Sequence, residues 1–468
     1  MNIKTLVIYA LGPVGAALIG LITLPMLAWL YTPEVVGSYG LLNIGISLTS
    51  LLFAFGFDQA YVREYYNFEN HAKLLKHCIV PGFSLLTIVL IFLSVFYISD
   101  LFQFSQSKYS VLILCYVGIG YFVVANLFIG YYFRMQQQAL MYSLCQFLPK
   151  LGFMLLIVAF YLSGFVTGFL SVAAAQFSAI AGLSCIMLFY TRKVWLACVA
   201  EHLEWPVLKK LFTFGFPLVL SNLTFWGLVS MDRLALTYFA DMAAVGVFSV
   251  AASLALAAGI LQVVFSAIWS PVIYRWEKAG IENYTEQFDA IFAALATVIF
   301  AAFCLVGLGA WLIDFVLPKQ YHDVKFILVC CFAYPLFFTL SEITVVGLHL
   351  TRKTYYVLVA SCLALITNLL INLWLTPQFG ISGAAIATAV SFYLLFVFRT
   401  EMSAVLWRPF ARLKMYMLGA VILALACAQA LSSKDYLYWA ISWLCMLLVV
   451  TVFGRQHFKV FFLLLHRR

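Results

Sequence analysis

Residues 5–30 read TLVIYALGPVGAALIGLITLPMLAWL, an apolar stretch without one charged side chain. About 20 such residues cross the hydrocarbon of a bilayer as a helix, because in lipid each backbone amide must be satisfied within its own segment. The stretch outruns a signal-peptide core of about 7–15 residues, and no small-residue cleavage site closes it. It is therefore expected to stay attached as a first span. The same pattern recurs along the chain, near 36–57, 78–98, 109–132, 138–162, 165–190, 211–239, 243–270, 287–316, 325–350, 354–375, 379–399, 412–432 and 436–454. With the first run that makes fourteen, and the loops between them are too short for a folded domain. Composition agrees: 65% of the 468 residues are hydrophobic and 10% are charged, against about 45–50% and about 25% in soluble domains. Too few charges remain to coat a soluble protein, which excludes soluble enzymes, nucleic-acid binders and disordered chains. The expected fold class is an all-α polytopic membrane protein with fourteen transmembrane helices.

Lys and Arg set the orientation, since they concentrate in cytoplasmic loops. With a cytoplasmic N-terminus, 21 of the 27 cations fall in inner segments, four (Lys108, Lys319, Lys325, Lys434) in outer loops, and Lys150 and Arg233 inside spans. Arg399 counts among the inner ones. Both termini are thus expected in the cytoplasm. The net charge of +9 follows from this asymmetry without an anionic macromolecular partner, and no nucleic acid is expected. The eleven cysteines show no C-x-x-C or Cys/His spacing suited to a metal and read as reduced core thiols. No G-x-x-x-x-G-K phosphate loop is present, so no ATP hydrolysis and no cofactor are expected.

The chain also repeats itself. YALGPVGAAL (9–18) leading to YTPEVVGSYGLLNIG (31–45) is echoed by FTFGFPLVLS (212–221) leading to YFADMAAVGVFSVAAS (238–253), with Gly37-Ser-Tyr39 matching Gly246-Val-Phe248 at an offset of 209. FVTGFLSVAAA (165–175) is echoed by GISGAAIATAV (380–390) at an offset of 215. Six spans per half return the chain to its starting side, so the two six-helix repeats are parallel, related by an axis along the membrane normal. The expected organisation is a first lobe over 1–190, a cytoplasmic linker over 191–210, a second lobe over 211–400, and two extra C-terminal helices with a tail over 401–468.

ITNLLINLWLTPQFGISGAAIATAVSF (366–392) carries Asn368 and Asn372 and then Pro377, Gly380, Gly383, Ala384 and Ala385. MDRLALTYFADMAAVGVFSVAASLA (231–255) carries an Asp-Arg pair before a Gly-x-aromatic opening, and FGFDQAYVREYY (55–66) ends span 2. Together they resemble Wzx-type flippases, the polysaccharide-transporter family of the multidrug/oligosaccharidyl-lipid/polysaccharide exporter superfamily. Phe248 stands where that family usually has Tyr. The resemblance implies a flippase in the bacterial inner membrane. Its substrate would be an undecaprenyl-diphosphate-linked oligosaccharide, such as an O-antigen or other surface-polysaccharide unit, moved from the cytoplasmic to the periplasmic leaflet. It would work among membrane lipids, beside a polysaccharide polymerase and a chain-length regulator. A lipid II flippase, a multidrug extruder of the same superfamily and, in a different class, a membrane-embedded glycan polymerase or ligase are the alternatives. The short, nearly chargeless outer loops speak against the enzymes.

A diphosphate crossing hydrocarbon needs cations. Lys150 lies near the middle of span 5, where an ionised Lys costs about 2.5–3.5 kcal/mol and usually faces a wet cavity or a partner. Gln146 shares its helix face, and Pro149 frees the carbonyl of Cys145. Arg233 near the outer end of span 7, and Arg63 and Arg275 ending spans 2 and 8, are the further substrate-binding candidates. Glu342 in span 10, Asp232 and Asp58 are candidates for coupling to a proton or sodium gradient, or for structural ion pairs. An ion pair between Lys150 and Glu342 is one such structural reading. Tyr65, Tyr66, Tyr121, Tyr131 and Tyr132 suit either sugar stacking or an interfacial belt.

Overall fold

The computed structural model describes residues 3–99, 109–164, 168–278, 284–432 and 435–466. The expected outer cations Lys108 and Lys434, the start of the echo at 165–167 and the terminal cations Arg467 and Arg468 lie outside these residues. Seventeen α-helices and no strand occur among the described residues. They are α1 (Ile3–Leu30), α2 (Pro33–Ala54), α3 (Phe57–Glu64), α4 (His71–Ser99), α5 (Tyr109–Met135), α6 (Ala139–Ser163), α7 (Phe169–Tyr190), α8 (Arg192–Ala200), α9 (Trp205–Phe239), α10 (Met242–Lys278), α11 (Tyr284–Gly309), α12 (Ile313–Val316), α13 (Val324–Leu350), α14 (Tyr355–Phe379), α15 (Ile381–Leu406), α16 (Leu413–Ala430) and α17 (Tyr436–His466). Thirteen of them are long and apolar enough to cross a membrane among the described residues. The remaining expected run, 109–132, falls on α5, a 27-residue helix whose first turns have side chains outside the described set. The protein is an all-α polytopic membrane protein.

Two compact units divide the chain: residues 1–23 with 39–226, and residues 24–38 with 227–468. In the first unit α5, α6 and α7 pack on one another, and α3 and α4 close on α5 around Phe57, Tyr61, Leu74 and Phe128. Phe55 and Gly56 end α2 with φ of 52° and 68°. A Cβ at Gly56 would collide with the backbone of Gly215 in α9, so the break requires glycine there. The expected linker is helical over α8. Its turn and last carbonyls are held by α4, where Lys76 Nζ donates to Val199 O (3.0 Å) and Glu201 O (2.6 Å). Lys73 pairs with Glu204 at 2.6 Å, and the Glu204 amide donates to His77 Nε2 at 2.8 Å.

In the second unit α13 is the central helix, with 72% of its most apolar window buried against α10, α11, α15 and α16. At the openings of α2 and α10 the backbones cross at Gly37 and Gly246. A Cβ on Gly37 would strike Met242 O, and one on Gly246 would strike Pro33 O. Both pairs stand 209 residues apart, so the crossing has the reciprocity of a two-fold contact.

Two turns share the 215-residue offset read from the sequence. α5 ends with Gln137 at φ 58° and α13 ends with Arg352 at φ 58°, 215 residues later. In each the next amide reaches back five residues, Gln138 N–H to Phe133 O and Lys353 N–H to Leu348 O, both 2.9 Å. This is a Schellman ending. It uses neither Gly nor Asn, although a non-glycine residue in that region costs about 1–2 kcal/mol.

One boundary is corrected. The run expected to end at Arg399 continues as helix to Leu406, and Arg399 is buried within it rather than standing in an inner loop. A charge ends a hydropathy window but not a helix when a partner neutralises it. That partner is Glu342, whose Oε1 lies 3.1 Å from Arg399 Nη1.

Candidate functional site

Lys150 projects from α6 one turn beyond Gln146, with its ammonium over Gly20 of α1. It is exposed and makes no hydrogen bond or ion pair among the described residues. The backbone beneath it carries the signature of Pro149. Cys145 O, which residue 149 would normally bond, accepts instead from Asn126 Nδ2 of α5 at 3.2 Å. Asn126 Oδ1 is buried without a partner. Asn126 was not among the expected residues. The only sequence signal for it was that a freed carbonyl in lipid needs a donor.

The motif residues converge in the second unit. Asp232 of α9 is only 2% exposed. Its Oδ1 accepts from Asn368 Nδ2 (3.1 Å) and Asn372 Nδ2 (2.9 Å) of α14, and its Oδ2 from the Thr388 hydroxyl of α15. Asn372 Nδ2 also reaches Asn368 Oδ1 at 3.1 Å, and the Thr376 hydroxyl donates to Asn372 Oδ1 at 2.9 Å. The spacing 368, 372, 376 puts all three on one face of α14. Arg233, the next residue, points elsewhere: its Nε donates to Ser249 Oγ at 3.1 Å and its guanidinium lies 5.7 Å from the Phe248 ring centroid. Asp232 therefore sits among neutral donors with no ion pair among the described residues. Such a carboxylate in hydrocarbon calls for a proton or a small cation. Rotating either amide by half a turn would replace a donated hydrogen bond with an oxygen ligand, giving carboxylate, amide and hydroxyl oxygens around one point.

The other expected residues separate by role. Glu342 is tied to Arg399, which also donates to Ser341 Oγ (3.2 Å), while Ser266 donates to Glu342 Oε2 at 3.4 Å. Asp58 accepts from Gln59 Nε2 (2.8 Å), which also reaches the Tyr131 hydroxyl (3.0 Å). Arg63 is exposed and stacks on Phe214 at 4.3 Å. Its neighbour Glu64 is buried and bound to Lys210 at 2.6 Å, and the Lys210 hydrogen bond holds the Glu64 carboxyl below its ordinary value. Arg275 is exposed near the end of α10. No group of three or more His, Cys, Asp or Glu able to hold a metal occurs among the described residues.

The polar residues of these two sites are not matched at corresponding positions. At the 215 offset, Lys150 corresponds to Leu365, and Asn368, Asn372 and Thr388 correspond to Phe153, Ile157 and Ala173.

The backbone superposes on the lipid II flippase MurJ in an inward closed conformation with a TM-score of 0.67, at 14% identity, over 97% of this chain and 99% of that one. It also superposes on an inward-facing multidrug resistance MATE family transporter of the MOP superfamily with a TM-score of 0.55, at 14% identity, over 87% and 96%. At that identity both likenesses are of fold. No curated protein matches the chain in sequence. The model of the family described as polysaccharide biosynthesis protein, however, matches residues 3–276, more than half of the 468. Sequence and fold meet there, and the chain belongs to the polysaccharide biosynthesis protein family.

Proposed function

We propose that this protein is a flippase that carries a lipid-diphosphate-linked oligosaccharide across the bacterial inner membrane by alternating access, with both termini cytoplasmic. The observation that carries this reading is Lys150, an unneutralised ammonium near the middle of a spanning helix. Holding it there costs about 2.5–3.5 kcal/mol, and a diphosphate passing along α6 offsets that cost. A point charge on a flexible stem follows a moving anion better than a rigid fork. Gln146, on the same face, offers an amide to the phosphate oxygens or the first sugar, and exposed Arg63 and Arg275 would attract the headgroup. Asp232 with Asn368, Asn372 and Thr388 is the coupling site, where a proton or a sodium ion binds and is released as access alternates. Glu342, already neutralised by Arg399, is structural.

The test is export in a strain lacking its own flippase, with protein level measured alongside. Lys150→Ala and Lys150→Gln should abolish export with the protein still inserted, and Lys150→Arg should keep part of it. Full export by Lys150→Ala would sink the reading. In proteoliposomes Asp232→Asn should remove dependence on an imposed gradient, and unchanged dependence would return Asp232 to a packing role. The fold likeness to a lipid II flippase favours a second reading with the same chemistry, a saccharide on a lipid diphosphate. Complementation of strains deficient in lipid II or in O-antigen flipping separates the two.

A further inference from the structure

Three of the cations at the start of α4 and α9 are consumed locally, Lys73 by Glu204, Lys76 by the carbonyls of Val199 and Glu201, and Lys210 by Glu64, while Lys209 is exposed. Arg192 and Lys193 at the start of α8 are both exposed, and among the described residues neither meets a carboxylate. Arg192 lies over the Phe189 ring at 4.7 Å. The two sides of α8 differ. Trp195 and Cys198 face α4 and its surroundings, with Cys198 Sγ donating to Ala72 O at 3.3 Å and Trp195 Nε1 bonded to Thr191 Oγ1 at 2.8 Å. The rest of its surface leaves Leu196 69% and Val199 75% exposed, and Trp205 beyond the turn is 74% exposed.

This apolar face does not stand alone. Ile186, Phe189 and Tyr190 are exposed on the last turns of the candidate span Phe169–Tyr190. On a helix apolar enough to cross a bilayer such side chains suit acyl chains, and the exposed apolar surface of α8 follows directly on theirs in the sequence. Two unpaired cations stand where the spanning helix gives way to α8. An apolar side, a basic flank and an exposed Trp are the marks of a helix lying in the headgroup layer.

We infer that α8 and the flanking Trp205 form a lipid-docking surface. Leu196 and Val199 seat at the boundary of headgroup and acyl chain, while Arg192 and Lys193 pair with the phosphates of anionic phospholipid in the leaflet on the side of the cation-rich loops. The hydrogen bonds to Lys76 and His77 transmit that seating to the start of α4. The inference is independent of the transported substrate and of Lys150.

The experiment uses the full-length protein in nanodiscs of equimolar phosphatidylglycerol and phosphatidylcholine, with a photoactivatable benzophenone amino acid replacing Leu196 or Val199. After irradiation the adducts are identified by mass. Each cation near an anionic surface gives roughly a fivefold preference, so phosphatidylglycerol adducts should exceed phosphatidylcholine adducts by at least roughly fivefold. The double variant R192Q/K193Q should bring the two close to parity while the total yield of lipid adducts holds. Adducts in the bulk lipid ratio from the otherwise unaltered chain, or adducts to protein in place of lipid, would overturn the assignment. That measurement decides the matter even if the double variant fails to fold.

Discussion

Replacing Asn126 by Leu tests how the carbonyl freed by Pro149 is satisfied. Two effects of that change oppose each other. Cys145 O loses the donor that lies 3.2 Å away, and the unpaired Oδ1 disappears. Each concerns one buried polar group, worth about 1–3 kcal/mol, so the single variant can come out near neutral. A double-mutant cycle separates them. Pro149→Ala restores a backbone N–H that can donate to Cys145 O, four residues back, so in that background the carbonyl no longer needs Asn126. The Oδ1 contribution is common to both backgrounds and cancels. Interhelical hydrogen bonds in membranes average about 0.6 and reach about 1.7 kcal/mol. A carbonyl freed by proline belongs at the upper end, so the coupling should be about 1–1.7 kcal/mol, with Asn126→Leu more harmful when Pro149 is present. Reversible unfolding in mixed detergent micelles measures it. Equal effects of Asn126→Leu in the two backgrounds would refute the assignment of Asn126 as donor to the freed carbonyl.

Glu342→Ala leaves the buried Arg399 uncompensated and should cost about 3–5 kcal/mol, whereas the double change Glu342→Leu with Arg399→Leu should recover most of it; no recovery in the same unfolding assay would mean the pair is more than structural. Gly37→Ala and Gly246→Ala should each cost about 1–3 kcal/mol by overpacking, since each Cβ would meet a facing carbonyl, and a variant that melts with the parent would show the crossing is looser than this. Because Lys210 holds the Glu64 carboxyl below its ordinary 4.5, the pair contributes stability above that pH and loses it as pH falls through the lowered value. Melting curves from about pH 7 down to about pH 3 should therefore show a smaller acid-induced loss in Lys210→Met, and an equal loss would remove Glu64 from the acid response.

Hydropathy made the spans legible because lipid forces each crossing to be apolar and helical, whatever the tertiary packing. It erred at Arg399, where a partner 57 residues away makes a buried charge tolerable and no local window can see it. The freed carbonyl of Cys145 followed from Pro149 alone, but its donor lies on another helix and is one amide among many. Asp232, Asn368 and Asn372 stood out as motif residues in separate stretches. That one carboxylate gathers both amides across about 140 residues is a fact of packing. Thr388 had no signal beyond its place in the small-residue run after Gly383. The turns at Gln137 and Arg352 escaped notice because residues other than Gly and Asn rarely adopt that conformation. Their common offset of 215 was the clue available.

The turns at Gln137 and Arg352 share the offset of 215 and the crossing at Gly37 and Gly246 the offset of 209, yet at the 215 offset Lys150 corresponds to Leu365, and Asn368, Asn372 and Thr388 of the Asp232 cluster correspond to Phe153, Ile157 and Ala173. In an assembly of two identical half-length chains every substitution would occur twice. A mid-membrane lysine would then carry its insertion penalty of about 2.5–3.5 kcal/mol in both copies, and a buried carboxylate would do the same. Joining the halves in one chain lets each charge be installed once. A repeat within one chain thus relaxes the constraint of symmetry while keeping a common backbone plan, so that Lys150 and Asp232 each stand once.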